Sequence, residues 1–299
     1  MATSAPDLSG VDRGELARRR ASAQGRIRWE LLTQLVRTDL KVKYQGSVLG
    51  FAWSLANPLL LMAIYYIIFT KLFKNGIEGY PIYLMAGLLP FTAFSQAVSS
   101  ASGSVTASAG LVKKVSFPRL VLPLSSVGFS LVQFLLQLGV LLLIVGIFSH
   151  ARIGFALLFI FPALALLVLF STALGILVSA LNVRYRDTSH FVEIAMLIWF
   201  WANPILYPAG YAKRELDKYH AFWAYFLNPM ATVVTTFQRA IYNQPYYTDA
   251  QGQRGQTLAD PGYAFYFRNL LIGFAIAGAL MLLARTVFNR LQADFAEEL

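Results

Sequence analysis

Charged residues in this chain stand in short groups separated by long apolar stretches. No charge lies between Lys43 and Lys71, between Glu78 and Lys113, between Arg119 and Arg152, or between Arg152 and Arg184. About 20 mostly apolar residues cross a hydrocarbon core of roughly 30 Å as a helix. The pattern predicts spans near 49–70 and 81–102, and a third and fourth within 119–152 and 152–184. A fifth follows over about 191–209 and a sixth over about 267–287. The expected fold class is an all-α integral membrane protein with six transmembrane helices.

Ahead of the first span, RWELLTQLVRTDLKVKY (28–44) reads as an amphipathic helix. Glu30, Gln34, Arg37 and Lys41 recur at 4-3-4 spacing and share one narrow face, with Leu31, Leu35 and Val42 beside it. Such an N-terminal interface helix lies along a membrane surface rather than crossing it. It is either a surface anchor alone or a cuff that also touches a cytoplasmic partner. Asp39 and Lys43 are spaced for an i,i+4 pair. Residues 1–26 are small and polar and are expected to form a disordered cytoplasmic tail before one transmembrane domain, 27–299.

Composition sharpens this. Charged residues are 13% of the chain, against about 25% in ordinary soluble domains. The net charge of +10 does not point to nucleic acid, because the basic residues sort by side. With the N-terminus inside, Arg37, Lys41, Lys43, Lys113, Lys114, Arg119, Arg184, Arg186, Arg285 and Arg290 all fall on the inner face, leaving both termini cytoplasmic. Cysteine is absent and the three histidines are far apart, so no thiolate or histidine metal centre is expected. The span interiors lack the ionisable relays of ion-coupled carriers. No Gly-Lys pair occurs, which excludes a phosphate-cradling P-loop. Uphill transport by this chain would need energy from another polypeptide.

The spans still carry polar stripes. Ser126, Ser130, Gln133 and Gln137 align on the third, and Ser95, Ser99 and Ser102 on the second. They are helix-packing contacts or the lining of a hydrophilic conduit. Asn-Pro occurs at 57–58, 203–204 and 228–229, and each should bend or stop a helix. Pro204 and Pro208 break the fifth span near Tyr207. The aromatic-rich stretch 215–245, with Trp223 and Tyr225, reads as re-entrant outer helices between spans five and six, within an outer region 207–266. Its aromatics are an interfacial belt or a surface for sugar rings. Residues 246–262 are a polar external loop.

Four blocks carry a family resemblance. LVRTDLKVKYQGSVLGFAWSLANPLLLMAIYYIIFTKLF (35–73) resembles the opening signature of type-2 ABC exporter permeases for cell-surface polysaccharides. That family includes exporters of lipid-linked O-antigen, teichoic acid and galactan. GLVKKVSFPRLVLPLSSV (110–127), ALNVRYRDTSHFVEIAMLIWFWANPILYP (180–208) and NPMATVVTTFQRAIY (228–242) are similar to three further family blocks, in family order. The resemblance covers roughly residues 30–290.

The resemblance implies a homodimer served by two copies of a separate ATP-binding subunit, which binds ATP and magnesium; this chain itself needs no cofactor. Segment 107–119 becomes the coupling loop. Leu111, Val112, Val115 and Phe117 would be apolar plugs in the ATPase, Lys113, Lys114 and Arg119 a charged rim, and Pro118 the return to the membrane. Segment 28–44 would flank the same subunit. In the inner loop 182–190, Arg184 and Arg186 would hold the pyrophosphate of a lipid-linked glycan at a substrate entrance, or pair with Asp187 and Glu193. Ser95, Ser99, Ser126, Ser130, Gln133, Gln137 and Tyr207 would line the conduit. The implied location is a bacterial inner membrane. Two rivals remain at this point: export of a drug or small lipid, and a polyprenyl-phosphate transferase using Asp187, His190 and Glu193.

Overall fold

A computed structural model describes residues 13–47, 50, 52–72, 77–114, 117–148, 154–248 and 254–299. Among them, four helices are long and apolar enough to cross a membrane. These are α3 (Tyr80–Ala107), α5 (Val121–Phe148), α6 (Ile160–Arg184, entered through a 3-10 turn at Phe155–Phe159) and α11 (Tyr263–Leu291). At 1.5 Å per residue, the 28 residues of α3 span about 42 Å.

The count is four, not the expected six. The first expected span is a 14-residue helix, α2 (Ala52–Tyr65), which contains Pro58 and passes into a π-helical segment at Tyr66–Leu72. The fifth is α7 (Thr188–Trp201), about 21 Å long. Its chain then turns through Ala202–Pro208 instead of continuing to 209. Hydropathy counts apolar residues whether or not the helix is regular: Pro204 follows the end of α7, and in the first segment the α-helix gives way to π-helix at Tyr66.

The expected re-entrant outer helices are not found either. α8 (Ala209–Asp217) carries Lys213, Arg214, Glu215 and Asp217, and α9 (Phe222–Tyr225) is a single turn. α10 (Pro229–Ile241) is buried at every residue, enclosed by α3, α6, α11 and the turn before α6. It is a core helix. Nor is the chain wholly helical: β1 (Tyr246–Thr248) and β2 (Arg254–Gln256) pair antiparallel within the region read as loop, of which 249–253 lie outside the described residues.

α3 is the most enclosed of the four long helices and packs against α5, α6, α7 and α10. Close approach depends on small residues. A Cβ on Gly273 of α11 would stand 2.7 Å from Leu166 Cδ2 of α6. Two satellite clusters close the bundle at its ends. At one end Val105, Val112, Leu122, Val183, Phe288 and Phe295 pack together with Leu35 and Phe117. At the other, Ala209, Phe222, Phe226 and Ala259 pack with Phe265.

The first helix, α1, runs Arg13–Tyr44 and begins well before residue 28. The segment 13–26, expected to be disordered, is rich in arginine and alanine, both strong helix formers; residues 1–12 lie outside the described residues. Glu30, Gln34, Arg37 and Lys41 are all exposed, as their shared face requires. The opposite face packs on α5, with Val36 beside Gly128, where a Cβ would lie 3.1 Å from Val36 Cγ2.

Candidate functional site

At the end closed by Val112 and Phe295, the chain leaves α3 through a one-residue break at Ser108 and forms the short helix α4 (Ala109–Lys114). Leu111, Lys113 and Lys114 project outward, whereas Val112 is buried in the chain's own cluster and Phe117 and Pro118 are half-buried. Arg119 turns inward as well. Its Nη1 donates to the carbonyl of Gln292, and its guanidinium lies 5.8 Å from the Phe295 ring. Of the expected docking residues, three form an outward knob and four support it. Val115 lies outside the described residues.

Beside α4, a polar cavity of about 370 Å³ is lined by Thr106, Asn182, Arg186 and Ser189. Asn182 is buried, and its Oδ1 accepts from Ser189 N at 3.1 Å, fixing the start of α7. Among the described residues no ion pair joins Arg184 or Arg186 to Asp187 or Glu193. Arg184 packs on the Tyr185 ring at 5.8 Å, and Arg186 is exposed at the cavity. Glu193 stands 4.0 Å from His190 Nδ1, both on an exposed face. Among the described residues no three His, Cys, Asp or Glu side chains are grouped for a metal.

The two polar stripes behave differently. On α5, Ser130 and Gln133 are buried. Ser130 Oγ donates to Ser126 O at 3.0 Å, and Ser126 Oγ reaches Leu122 O at 3.5 Å. Gln133 Oε1 accepts from Lys43 Nζ of α1 at 2.9 Å, while its Nε2 has no partner. Lys43 therefore serves α5 rather than Asp39, and burial there pushes its ammonium below the usual lysine range. Gln137 is half-buried. On α3, Ser95 and Ser99 are half-exposed and Ser102 is buried with an unpartnered hydroxyl. Gln96 and Ser100, outside the expected stripes, are exposed beside them. The most enclosed helix thus leaves open a strip of Ser95, Gln96, Ser99, Ser100 and Gly103. The 4-3 spacing from Gln96 through Ser100 to Gly103 was available in the sequence. Such a strip is unfavourable against lipid tails and suits water or a polar solute.

The break after α7 is held by a dense set of bonds. Asn203 Nδ2 donates to Trp199 O at 2.5 Å, and Asn228 Nδ2 to Asn203 Oδ1 at 3.2 Å. Asn228 Oδ1 accepts from Trp199 Nε1 at 2.9 Å and from Met230 N at 3.0 Å, so it also caps α10. The exposed carbonyls of the turn find donors on α3 and α10. Pro204 O accepts from Gln238 Nε2 at 2.7 Å, Leu206 O from Tyr80 Oη, and Tyr207 O from Tyr83 Oη at 3.1 Å. Irregular backbone at membrane depth is tolerated where protein satisfies it in this way. Tyr207 itself donates to Trp201 O at 3.1 Å and lies 3.3 Å from Tyr225 Oη. It braces this turn.

The ABC-2 type transporter family model matches residues 30–242, a stretch that contains α1 from Glu30, α4, the α3 strip and the braced turn. This chain belongs to that family. All four sequence blocks that carried the resemblance fall inside the match. The ABC-2 chain is 32% identical to the O-antigen export system permease protein RfbA of Myxococcus xanthus, over 90% of its own length and 95% of that protein. It is 32% identical to a protein of the same name from Klebsiella pneumoniae, over 72% of its length and 81% of the relative. The polysialic acid transport protein KpsM of Escherichia coli is 22% identical, covering 68% and 78%. With its long apolar helices, the ABC-2 chain is a multi-pass membrane protein.

Proposed function

We propose that this chain is the membrane-spanning subunit of an ATP-driven exporter that moves a lipid-linked polysaccharide from the cytoplasmic side across a bacterial inner membrane. It works as a homodimer with two copies of a separate ATP-binding subunit, which hydrolyses ATP with magnesium. Both termini lie in the cytoplasm. The observation that carries the reading is its similarity, over nearly the full length of both chains, to a protein named as an O-antigen export permease.

The geometry supports each part. Leu111, Lys113 and Lys114 on α4, together with the exposed face of α1, form the docking end for the ATP-binding subunit. The strip Ser95–Gly103 of α3 lines the passage, facing its counterpart in the second copy. Arg186, free of an acidic partner among the described residues and set in a polar cavity with Asn182 and Ser189, receives the phosphate groups of the carrier. No group in this chain breaks or makes a covalent bond.

The test uses inside-out vesicles containing the subunit and its ATP-binding partner, loaded with a radiolabelled polyprenyl-pyrophosphate glycan. ATP should drive the glycan into the lumen, out of reach of an added glycosidase, and Lys113→Glu/Lys114→Glu should abolish this with the subunit still in the membrane. Glycan that stays digestible, while a small amphiphile is transported, would replace the polysaccharide with a lipid or drug cargo.

A further inference from the structure

Arg119 was expected on the charged rim that meets the ATPase, yet its guanidinium points into the chain. It donates to the carbonyl of Gln292 and covers the Phe295 ring. Both partners belong to a turn that follows α11: Asp294 N closes on Leu291 O at 3.1 Å, and α12 (Phe295–Glu298) follows. Phe295 is only 1% exposed, so this small element is inserted rather than laid on the surface. Its ring meets Phe288 of α11 edge-on at 5.4 Å.

What surrounds that ring is informative. The same cluster takes in Val112, the buried side of α4, and Phe117 just beyond it. It also receives Leu35 from α1. The two segments assigned to the ATPase, α1 and α4, are far apart in sequence and meet here. An isolated α4 of six residues is too short to hold its own geometry. Its outward knob is placed by what Val112 and Arg119 grip.

We propose that the turn 292–298 is a third part of the docking end, with Phe295 and Arg119 as positioning residues that hold α4 in place for the ATP-binding subunit. This rests on the docking reading above. Neither residue touches the partner; Phe295 supplies the seat and Arg119 the clamp across it. The hydrogen bond from the charged guanidinium fixes the return segment 117–120 against the turn, and the knob Leu111/Lys113/Lys114 inherits that position.

The full-length subunit, co-produced with its ATP-binding partner, tests this directly. The chain has no cysteine, so one introduced beside the knob as Gly110→Cys, where a Cβ meets nothing within 4 Å, reports alone. In the parent complex Cys-directed labelling at that site should be blocked by the partner. Arg119→Gln should lower recovery of the partner by roughly tenfold, as loss of one hydrogen bond to a charged group predicts, and should open the site to a membrane-impermeant maleimide. Phe295→Ala should do the same and Phe295→Tyr should restore protection, because the ring is kept. A separate reporter, Asp217→Cys at the far end, should label at an unchanged rate in every variant, showing that the fold is intact. Full recovery of the partner with the Gly110→Cys site still protected in Arg119→Gln would overturn the proposal. Absence of any complex in the parent would instead overturn the docking reading on which it stands.

Discussion

The carbonyl of Pro204, inside the break after α7, accepts from Gln238 Nε2 at 2.7 Å and shares the single proton of Tyr83 Oη, 3.2 Å away, with Tyr207 O. Each covers for the other, so their removal should be non-additive. Gln238→Leu leaves Tyr83 in reach and deletes Gln238 Oε1, a buried oxygen with no partner. The gain and loss nearly cancel, and the cost should be about 1 kcal/mol. Tyr83→Phe leaves Pro204 with Gln238, and Ala209 N–H keeps Thr257 O at 3.0 Å. The loss falls on Tyr207 O and should be about 1–2 kcal/mol, in the range of hydrogen bonds between membrane helices. Together the substitutions strand both carbonyls, for about 4 kcal/mol. The coupling energy is therefore about 1–2 kcal/mol. The assay is reversible unfolding in mixed micelles by added dodecyl sulfate, followed by tryptophan fluorescence for the parent, both single variants and the double. Additivity within about 0.5 kcal/mol would show that the two side chains do not share that acceptor.

Other outcomes follow from single contacts. A Cβ on Gly210 would lie 2.2 Å from Gln256 O, so Gly210→Ala should push β2 off α8 and speed tryptic cleavage after Arg254; an unchanged cleavage rate would contradict that packing. Lys43→Met strands the buried amide of Gln133 and should destabilise by about 1–3 kcal/mol, with Gln133→Leu in the same chain recovering most of it, as read by thermal melts. Gln96→Leu/Ser100→Leu should reduce ATP-driven glycan export in vesicles without lowering recovery of the ATP-binding subunit; normal export would remove the α3 strip from the passage. Asn228→Ala loses the α10 cap and the bonds to Trp199 and Asn203 and should lower stability by about 1–3 kcal/mol in the same unfolding assay; an unchanged midpoint would contradict the cap.

Several features were legible because they rest on local pattern. The exposed face of Glu30, Gln34, Arg37 and Lys41 is a matter of 3.6-residue periodicity, and charges bracket the four long helices because lipid admits few of them. What was misread depends on partners remote in the chain. Arg119 and Gln292 are 173 positions apart, and Lys43 and Gln133 are 90 apart; no spacing rule links them. α10 was hidden by composition, since Thr232, Thr235, Thr236, Gln238 and Arg239 look like surface and are buried. Arg239 manages this by donating to Asn243 and to Pro261 O at 3.1 Å, with its guanidinium 4.7 Å from the Tyr263 ring. α7 was counted as a span because hydropathy is blind to the proline just beyond its end, and α2 because hydropathy does not separate one long α-helix from a short one that passes into a π-helical segment.

α3 carries its own proline. Pro90 has no N–H to give to the carbonyl of Ala86, so the helix has one joint along its length. On one side of that joint stand Tyr80 and Tyr83, tied to the carbonyls of 204–207. On the other stand Ser95, Gln96, Ser99, Ser100 and Gly103, followed directly by α4. The 17 residues from Phe91 to Ala107 make an arm of about 26 Å. A swing of about 5° at the joint would carry its tip roughly 2 Å, more than a hydrogen bond can follow. The arm itself packs on the end of α7, Phe91 against Phe200 and Phe94 against Trp199, so a tilt of the polar wall with α4 would be carried to the braced turn.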